Sequence, residues 1–349
     1  MTITGKNAAV TALLIVFAAC STTGKAPTQV DSGDQSKSVV LGKGAAEKGV
    51  FPRITLKQDE STLGETVRRI GQESGGGLVV SYGLGRKTVA PVKFTKANYE
   101  SVVTKLASLT GATMQNCSTY YFLMKPGEEQ LREISLLGKL SPRHDALSVG
   151  LSIGAGTRLY TALALINQAT TANVVADNAI AEVHCGEMTL SEVPLQYNLE
   201  ALLKSAHVVA YEVESTDEFV FIRYNLNDSP KSTLLNESTL DERQRAHLER
   251  KISLYLPEPT ATDRNRALIS GSQTLASMLE PLSKQLGVKV VAEESMRDFP
   301  VNPLILKDVR VSTAMDLLIR QWPVGEFGYQ FTHDRIVIRR MTPADRPAL

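Results

Sequence analysis

An internal repeat constrains this chain more than any other feature of its sequence. When the sequence is compared with itself at an offset of 116 residues, residues 159–203 match residues 275–319 without a gap. Apolar residues coincide along the whole stretch, beginning with Leu159 on Leu275 and Leu163 on Leu279. A fixed register through several predicted elements indicates two copies of one folding unit.

A third copy lies upstream, at an offset of 96 residues from the second, where Leu63 falls on Leu159. In this alignment one residue of the Gly75–Gly77 turn loops out, so that Val79-Val80 lies on Val174-Val175. We therefore expect three tandem modules, which occupy residues 51–125, 148–224 and 266–341.

Each copy has the pattern strand, helix, strand, strand, helix, strand, strand. In copy one, Thr62 and Glu65 predict a capping box at the start of the first helix. Asn98 is expected to cap the second helix, and Gly111 to end it. Alternating apolar residues predict a hairpin at the end of each copy, over residues 113–124, 208–222 and 327–339. The predicted fold class is α+β, with two helices packed on small mixed sheets in each of the three modules.

Two polar linkers separate the copies, at residues 126–147 and 225–265. In the longer one, Thr239 and Glu242 predict a capping box that opens a charged helix, which ends at about Arg250. Its charges are expected to form a solvated face, with a partner-binding helix as the alternative. The repeat register places the first strand of copy three at Ala267–Ile269, whereas the apolar run Ile252–Leu256 predicts a strand that begins this copy early. Because the linkers are polar, we expect the copies to unfold as separate units.

The first 20 residues have the pattern of a secretory signal. Lys6 precedes an apolar run over residues 8–19, which is shorter than the about 20 residues that span a bilayer. The run ends in Phe17-Ala18-Ala19-Cys20, which resembles the lipobox of bacterial lipoproteins. The resemblance implies that Cys20 is lipidated as the new N-terminus, and Ser21 resembles the outer-membrane sorting class. A plain cleaved signal, in which Cys20 has no role, is the alternative.

Residues 21–50 are rich in Ser, Thr, Gly, Lys and Asp and show no apolar period. This composition predicts a flexible tether. A coil of about 30 such residues reaches roughly 30 Å, which holds a domain clear of a membrane surface.

A strand-to-helix motif recurs in copies two and three. Leu190–Leu195 joins a predicted strand to a helix that contains Leu199, and Pro194 suits the start of that helix. Leu306–Val309 repeats the motif, followed by Met315. This motif resembles the short N-terminal domain shared by secretins and TonB-dependent transporters, and the resemblance covers all three modules. It implies periplasmic adaptor modules that contact a channel or secretion-machine protein, in this chain without the pore.

The sequence contains one candidate nucleophile. Gly150–Gly154 fits the G-x-S-x-G pattern of a hydrolase, with Ser152 at its centre. The alternation of Leu151 and Ile153 predicts instead a strand whose serine points outward. The five histidines are scattered and lack H-E-x-x-H spacing, so we predict no catalytic residue, no metal site and no cofactor.

If Cys20 is lipidated, Cys117 and Cys185 remain. The periplasm permits a disulfide, but a pair in two different modules must bring its Cα atoms within about 7 Å. We expect two separate thiols, with the disulfide as the alternative.

A net charge of +1, from 38 basic and 37 acidic residues, provides no global field that would recruit nucleic acid. We expect a non-enzymatic adaptor or scaffold lipoprotein, anchored at the periplasmic face of the outer membrane. Its expected partner is an envelope channel or secretion-machine protein, bound in part by strand addition to an exposed sheet edge. The alternatives are a lipoprotein that binds a cell-wall polymer or small ligand between modules, and a serine hydrolase that uses Ser152.

The predicted anchor is tested by replacing the lipidated residue. Cys20→Ala should move the protein from the membrane fraction to the soluble fraction, or stall its processing, because the thiol that carries the lipid is gone. Metabolic lipid labelling with cell fractionation measures both outcomes, and Ser21→Ala serves as the neighbouring control. An unlabelled, soluble wild-type protein would contradict the prediction.

Overall fold

The computed structural model describes residues 51, 53–225, 232–257, 273–322, 326–342 and 345. These residues form an α+β protein in which helices pack on several small mixed sheets, as predicted. The predicted signal sequence with Cys20, the predicted tether and the strand predicted at Ala267–Ile269 lie outside the described residues.

The longer elements follow one another in the same order in each copy, while copies one and three add two-residue strands and copy two adds a short helix. In copy one they are β1 (Ile54–Gln58), β2 (Ser61–Thr62), α1 (Leu63–Ser74), β3 (Gly77–Val80), β4 (Thr88–Val89), β5 (Val92–Ala97), α2 (Tyr99–Thr110), β6 (Thr113–Asn116) and β7 (Tyr120–Met124). In copy two, preceded by α3 (Pro142–Asp145), they are β8 (Ser148–Ile153), α4 (Leu159–Ala169), β9 (Val174–Ala176), α5 (Asn178–Ala181), β10 (Met188–Pro194), α6 (Leu195–Ser205), β11 (Tyr211–Ser215) and β12 (Val220–Tyr224). In copy three, preceded by α7 (Glu242–Glu249), they are β13 (Lys251–Leu256), β14 (Gln273–Thr274), α8 (Leu275–Leu286), β15 (Lys289–Ala292), β16 (Pro300–Val301), β17 (Leu304–Arg310), α9 (Val311–Arg320), β18 (Phe327–Thr332) and β19 (Arg335–Arg340).

The three copies share one strand topology. The first strand of each copy pairs antiparallel with the strand before its second helix, as β1 does with β5, β8 with β10 and β13 with β17. The strand after the first helix then pairs in parallel with the last strand of the C-terminal hairpin, as β3 does with β7, β9 with β12 and β15 with β19. The predicted tandem repeat of small modules is therefore confirmed.

A β-bulge recurs at the same place in each copy. Three residues of the first strand oppose four residues of its partner strand, as where Ile54 to Leu56 lies opposite Phe94 to Ala97. The irregularity recurs at Leu190 to Val193 and at Ile252 to Leu254. Because β13 carries this shared feature, it is the first strand of copy three, as the apolar run at Ile252–Leu256 predicted.

The alignment of copies one and two needs one correction. Leu78 pairs with Tyr121 on β7, and Val174 pairs with Val220 on β12, and all four side chains face the core of their own copy. Leu78 is therefore the equivalent of Val174, at the constant offset of 96 residues. The predicted looped-out residue near Gly75–Gly77 is wrong, because two neighbouring valines in each strand made a shift of one residue look equally good.

The ends of the helices in copy one are as predicted. The Thr62 side chain accepts from the Glu65 N–H and the Glu65 carboxylate accepts from the Thr62 N–H, so the capping box is complete. The Asn98 side chain accepts a hydrogen bond from the Glu100 N–H at the start of α2. Gly111 ends α2 with a φ of 63°, a left-handed conformation that glycine adopts without strain.

Two helix starts differ from the prediction. Pro194 is the cap residue of α6 and not its first helical residue. In the linker, the capping box is formed by Asp241 with Gln244, and α7 begins at Glu242. The pair Thr239 and Glu242 has the right spacing, but it is the Asp241 carboxylate that accepts from the Gln244 N–H, at 2.8 Å.

Copies one and two share a sheet. Strand β10 pairs with β8 of its own copy on one edge and with β3 of copy one on the other. The result is a five-stranded sheet in the order β6-β7-β3-β10-β8. This pairing changes the expectation drawn from the polar linkers, because two copies that share a sheet are expected to unfold together.

The repeat register is tested in two cores at once. Leu199 and Met315 occupy equivalent positions in α6 and α9, and both are fully buried. Replacing either with Ala should lower the free energy of unfolding by about 2–5 kcal/mol, because it leaves a cavity. The control is Leu137→Ala, at a side chain that is 73% exposed, where a change within about 0.5 kcal/mol is expected. Urea denaturation measures all three variants, and an unchanged midpoint for either core variant would contradict the register.

Candidate functional site

The serine of the G-x-S-x-G pattern lies within a regular strand. Ser152 belongs to β8, and Leu151 and Ile153 are buried on either side of it, as the alternation predicted. Its hydroxyl oxygen lies 3.3 Å from that of Thr189 on β10. A nucleophile elbow requires a sharp turn from a strand into a helix, and β8 continues past Ser152 in antiparallel pairing with β10.

The described residues contain few features that suggest small-molecule chemistry. Within those ranges, no group of three or more His, Cys, Asp or Glu side chains is placed to hold a metal ion. Cys117 and Cys185 are free thiols, and complete burial raises the pKa of Cys185 to about 12. A cavity of about 10 Å³ between copies two and three, lined in part by Asn167 and Asn302, has room for one water molecule.

The contacts between copies are the most developed feature of the structure. In each copy, the C-terminal hairpin and the strand that pairs with it in parallel form a three-stranded unit, called here the sheet of that copy; in copy one it is part of the five-stranded sheet. One face of this unit, the inner face, packs on the helices of its own copy, and the outer face lies on the other side. The outer face of the first sheet carries Val79, Tyr120, Phe122 and Met124, and all four belong to the apolar core of copy two. Copy two therefore covers the outer face of copy one.

The same arrangement recurs one copy further along the chain. On the outer face of the second sheet, Val175 and Phe221 belong to the apolar core of copy three, together with Met315. The equivalent positions in the third sheet are Val291 and Val337, which are partly exposed. Among the described residues, no further copy follows to cover this third outer face.

A buried ion pair marks the contact between copies one and two. On α6, Lys204 Nζ lies 2.9 Å from Glu200 Oε1, and the Lys204 side chain is 2% exposed. The Tyr120 hydroxyl donates to Glu200 across the contact, at 2.9 Å, and Lys204 reaches Gln115 Oε1 of copy one at 3.5 Å. Burial raises the pKa of Tyr120 well above its usual value, so its hydroxyl stays a donor.

The equivalent residues on α9 are Asp316 and Arg320, at the contact between copies two and three. The Arg320 guanidinium lies 4.1 Å from the ring centre of Phe221 and donates to Glu214 at 2.6 Å. Asp316 accepts from the Thr233 N–H and hydroxyl, and burial raises its pKa to about 6. Both contacts thus place a base of the second helix against the preceding sheet, at Lys204 and Arg320. The acid four residues earlier meets Tyr120 of that sheet in the first contact and Thr233 of the linker in the second.

Copy one lacks this pair. Its equivalent residues on α2 are Thr104 and Ser108, which are exposed, and the described ranges hold no earlier copy that they could face. These charged residues were not predicted, although the aligned repeats contain a signal for them. At the aligned positions, copies two and three have an acid followed four residues later by a base, whereas copy one has Thr104 and Ser108.

One position on the first helix controls how the next copy approaches the sheet edge. In copy one it is Gly71, where an added Cβ atom would lie 2.2 Å from Thr189 Cγ2 of β10. In copy two it is Asn167, whose side-chain amide bonds the N–H and C=O of Val174 on β9 and also donates to the Ile305 carbonyl of copy three. Gly71 therefore leaves space for β10 to pair with β3. At the equivalent edge of β9, the Asn167 side-chain amide makes the hydrogen bonds to the backbone that a paired strand would otherwise make.

In copy three the same position is Ser283. Its hydroxyl accepts a hydrogen bond from the Val290 N–H at 2.8 Å, which satisfies an amide on the outer edge of β15. This contact opposes the predicted addition of a partner strand at that edge.

An ion pair between Arg68 on α1 and Glu187 fixes the contact between copies one and two from the side. Arg68 Nε donates to Glu187 Oε1 at 3.0 Å, and the Ala155 N–H donates to Glu187 Oε2 at 3.0 Å. Burial raises the pKa of Glu187, and these two donors partly offset the effect. The equivalent positions are Pro91 and Pro303, so this pair is specific to one contact.

Comparison with models of protein families, with curated protein sequences and with solved structures finds no match to this chain. Across the described part of the chain, no helix has the length and apolar character needed to cross a membrane.

The role of the small residue on α1 is tested by filling its space. Gly71→Asn should separate β10 from β3, because the new side chain occupies the position of Thr189. We expect hydrogen exchange to accelerate at Val80 and the unfolding of copies one and two to split into two steps. Gly138→Asn is the matched control, because no atom lies within 4 Å of its added Cβ and asparagine tolerates the φ of 71°. Unchanged exchange at Val80 in Gly71→Asn would contradict the assignment.

The raised pKa of Asp316 predicts a dependence of stability on pH. The carboxyl has a pKa of about 6 in the folded chain and about 3.8 when unfolded, so ionisation favours unfolding as the pH rises between these values. The free energy of unfolding should fall by on the order of 2 kcal/mol from pH 4 to pH 7. Asp316→Asn should remove this decrease, whereas Asp308→Asn, at a side chain that is 67% exposed, should keep it. Denaturant titrations across this range measure the slope, and the same slope in Asp316→Asn and the wild type would refute the prediction.

Proposed function

We propose that this chain is a non-enzymatic adaptor or scaffold lipoprotein, held at the periplasmic face of the outer membrane by lipid on Cys20. Its partner is a channel or secretion-machine protein of the cell envelope. The lipobox-like Phe17–Cys20 and the resemblance of the modules to the short N-terminal domain of secretins and TonB-dependent transporters support the compartment and the class of partner.

The observation that carries the proposal is the difference between the three outer faces. The first two are buried by the following copy, with Phe122 and Phe221 fully buried at equivalent positions. The third, with Val337 at that position, is partly exposed. A module whose outer face binds a neighbouring copy inside the chain offers the same face to another protein where no copy among the described residues covers it.

This geometry also narrows the expected mode of binding. Strand β10 adds to the edge of β3 within the chain, which shows that the module accepts an added strand where Gly71 leaves space. At the β15 edge, Ser283 already satisfies the Val290 N–H. We therefore assign the partner contact to the third outer face and not to the β15 edge.

Neither alternative function is favoured by a specific observation. The cavity between copies two and three has room for one water molecule and is too small for a cell-wall fragment. Ser152 lies in a regular strand with its hydroxyl beside that of Thr189.

Site-specific photo-crosslinking in intact cells tests the proposal. A benzophenone amino acid at Val337 should give a crosslinked product in the outer-membrane fraction that mass spectrometry assigns to a channel or secretion-machine protein. The same residue at Lys57, an exposed position of β1, is the control and should give a weaker product or none.

A second benzophenone probe is placed outside copy three, at exposed Arg143 of α3. Deleting residues 251–341, the whole of copy three with its first strand, should abolish the product that this probe forms with the same partner. Monomer alone at every probe position, from cells that express the protein, would overturn the adaptor proposal.

A further inference from the structure

The third outer face has a defined chemical pattern across its strands. Lys289 lies beside Arg335, and Val291 lies beside Val337, which in turn pairs with Gln330. We call these five residues the terminal face. Lys289 and Arg335 are exposed and form its basic end, while Val291 and Val337 form its apolar centre.

The position of Gln330 has the same role in both internal contacts. Its equivalents, which pair with Phe122 and Phe221, are Gln115 and Glu214. Gln115 Oε1 accepts from Lys204 at 3.5 Å, and Glu214 Oε2 accepts from Arg320 at 2.6 Å. In each contact this position therefore receives the base of the following copy's second helix, and Gln330 provides the same amide oxygen as Gln115.

The position of Arg335 corresponds to that of Tyr120 in the first sheet. The Tyr120 hydroxyl donates to Glu200, the acid of the pair on α6. Arg335 is also a donor, and its full positive charge makes a hydrogen bond to a carboxylate stronger. Arg339, on the same face, already binds the Asp345 carboxylate through two hydrogen bonds, at 2.8 Å each. The third outer face thus binds a carboxylate within the chain itself.

We propose that the terminal face binds an amphipathic helix of a partner protein that carries an acid and, four residues later, a base. The acid pairs with Arg335, the base is received by Gln330, and apolar side chains between them cover Val291 and Val337. This inference rests on the proposed adaptor function and specifies the chemistry of its partner.

A second copy of this chain does not fit the same face. The helix it would present is α2, whose residues at the two decisive positions are Thr104 and Ser108. Neither provides a charge for Arg335 or Gln330. The pairs on α6 and α9 do have the required charges, but they are already buried against the preceding sheets.

The test uses the full chain in detergent and a labelled, alanine-based helical peptide with one Glu-Ala-Ala-Ala-Lys segment and two leucines on the same face. Fluorescence anisotropy at low ionic strength should show saturable binding. Arg335→Glu should weaken it at least tenfold, and a peptide with Lys in place of the Glu should recover binding to this variant. Lys57→Glu, in copy one, removes a charge of the same sign at an exposed site and should leave binding unchanged.

Three results would overturn the proposal. They are no saturable binding of the peptide, equal binding by Arg335→Glu and the wild type, and sedimentation showing self-association that Arg335→Glu abolishes, which would make a second copy the occupant. Crosslinks to an envelope protein at other positions, together with a failed peptide test, would leave the adaptor function intact and remove only this assignment of the partner helix.

Discussion

A sheet of three short strands has two faces, and the helices of its own copy bury only one of them. The second face must be covered by something else if its side chains are large and apolar. In copy one these side chains include Tyr120 and Phe122, and copy two encloses them completely. The order of the copies follows from this requirement, because each sheet is finished by the copy that comes next in the chain.

Two charged side chains, Lys204 and Arg320, are buried where one copy covers the sheet of the preceding copy. A lone buried ammonium or guanidinium group is costly unless it is paired and hydrogen-bonded. Lys204 has Glu200 four residues earlier on its own helix, and Arg320 has Glu214 on the sheet that it covers. Such pairs add little to stability, but their hydrogen bonds to Tyr120 and Glu214 link the second helix to the preceding sheet at defined points.

Much of each module was predictable from local sequence. The capping box at Thr62, the cap at Asn98 and the left-handed end at Gly111 depend on side chains within a few residues of one another, so their patterns are visible without the fold. The hairpin of copy two lies about two residues later in the chain than predicted, with β11 at Tyr211–Ser215. Its polar turn contains no glycine that would mark the position of the turn in the sequence. The contacts between copies join residues about 80 to 140 positions apart, and no local period records them.

The sequence by itself determined the repeat, its two offsets, the α+β class and the helix ends of copy one, since each is encoded in spacing or in neighbouring side chains. Only the tertiary structure decided how the copies meet. Whether β10 adds to β3, or an amide stands in for the added strand, depends on the space at Gly71 and at its equivalent Asn167. The effect of the side chain at this position depends on β10 of the next copy, because Thr189 of that strand occupies the space that a larger residue than Gly71 would fill. The sequence near Gly71 does not show that Thr189 lies there.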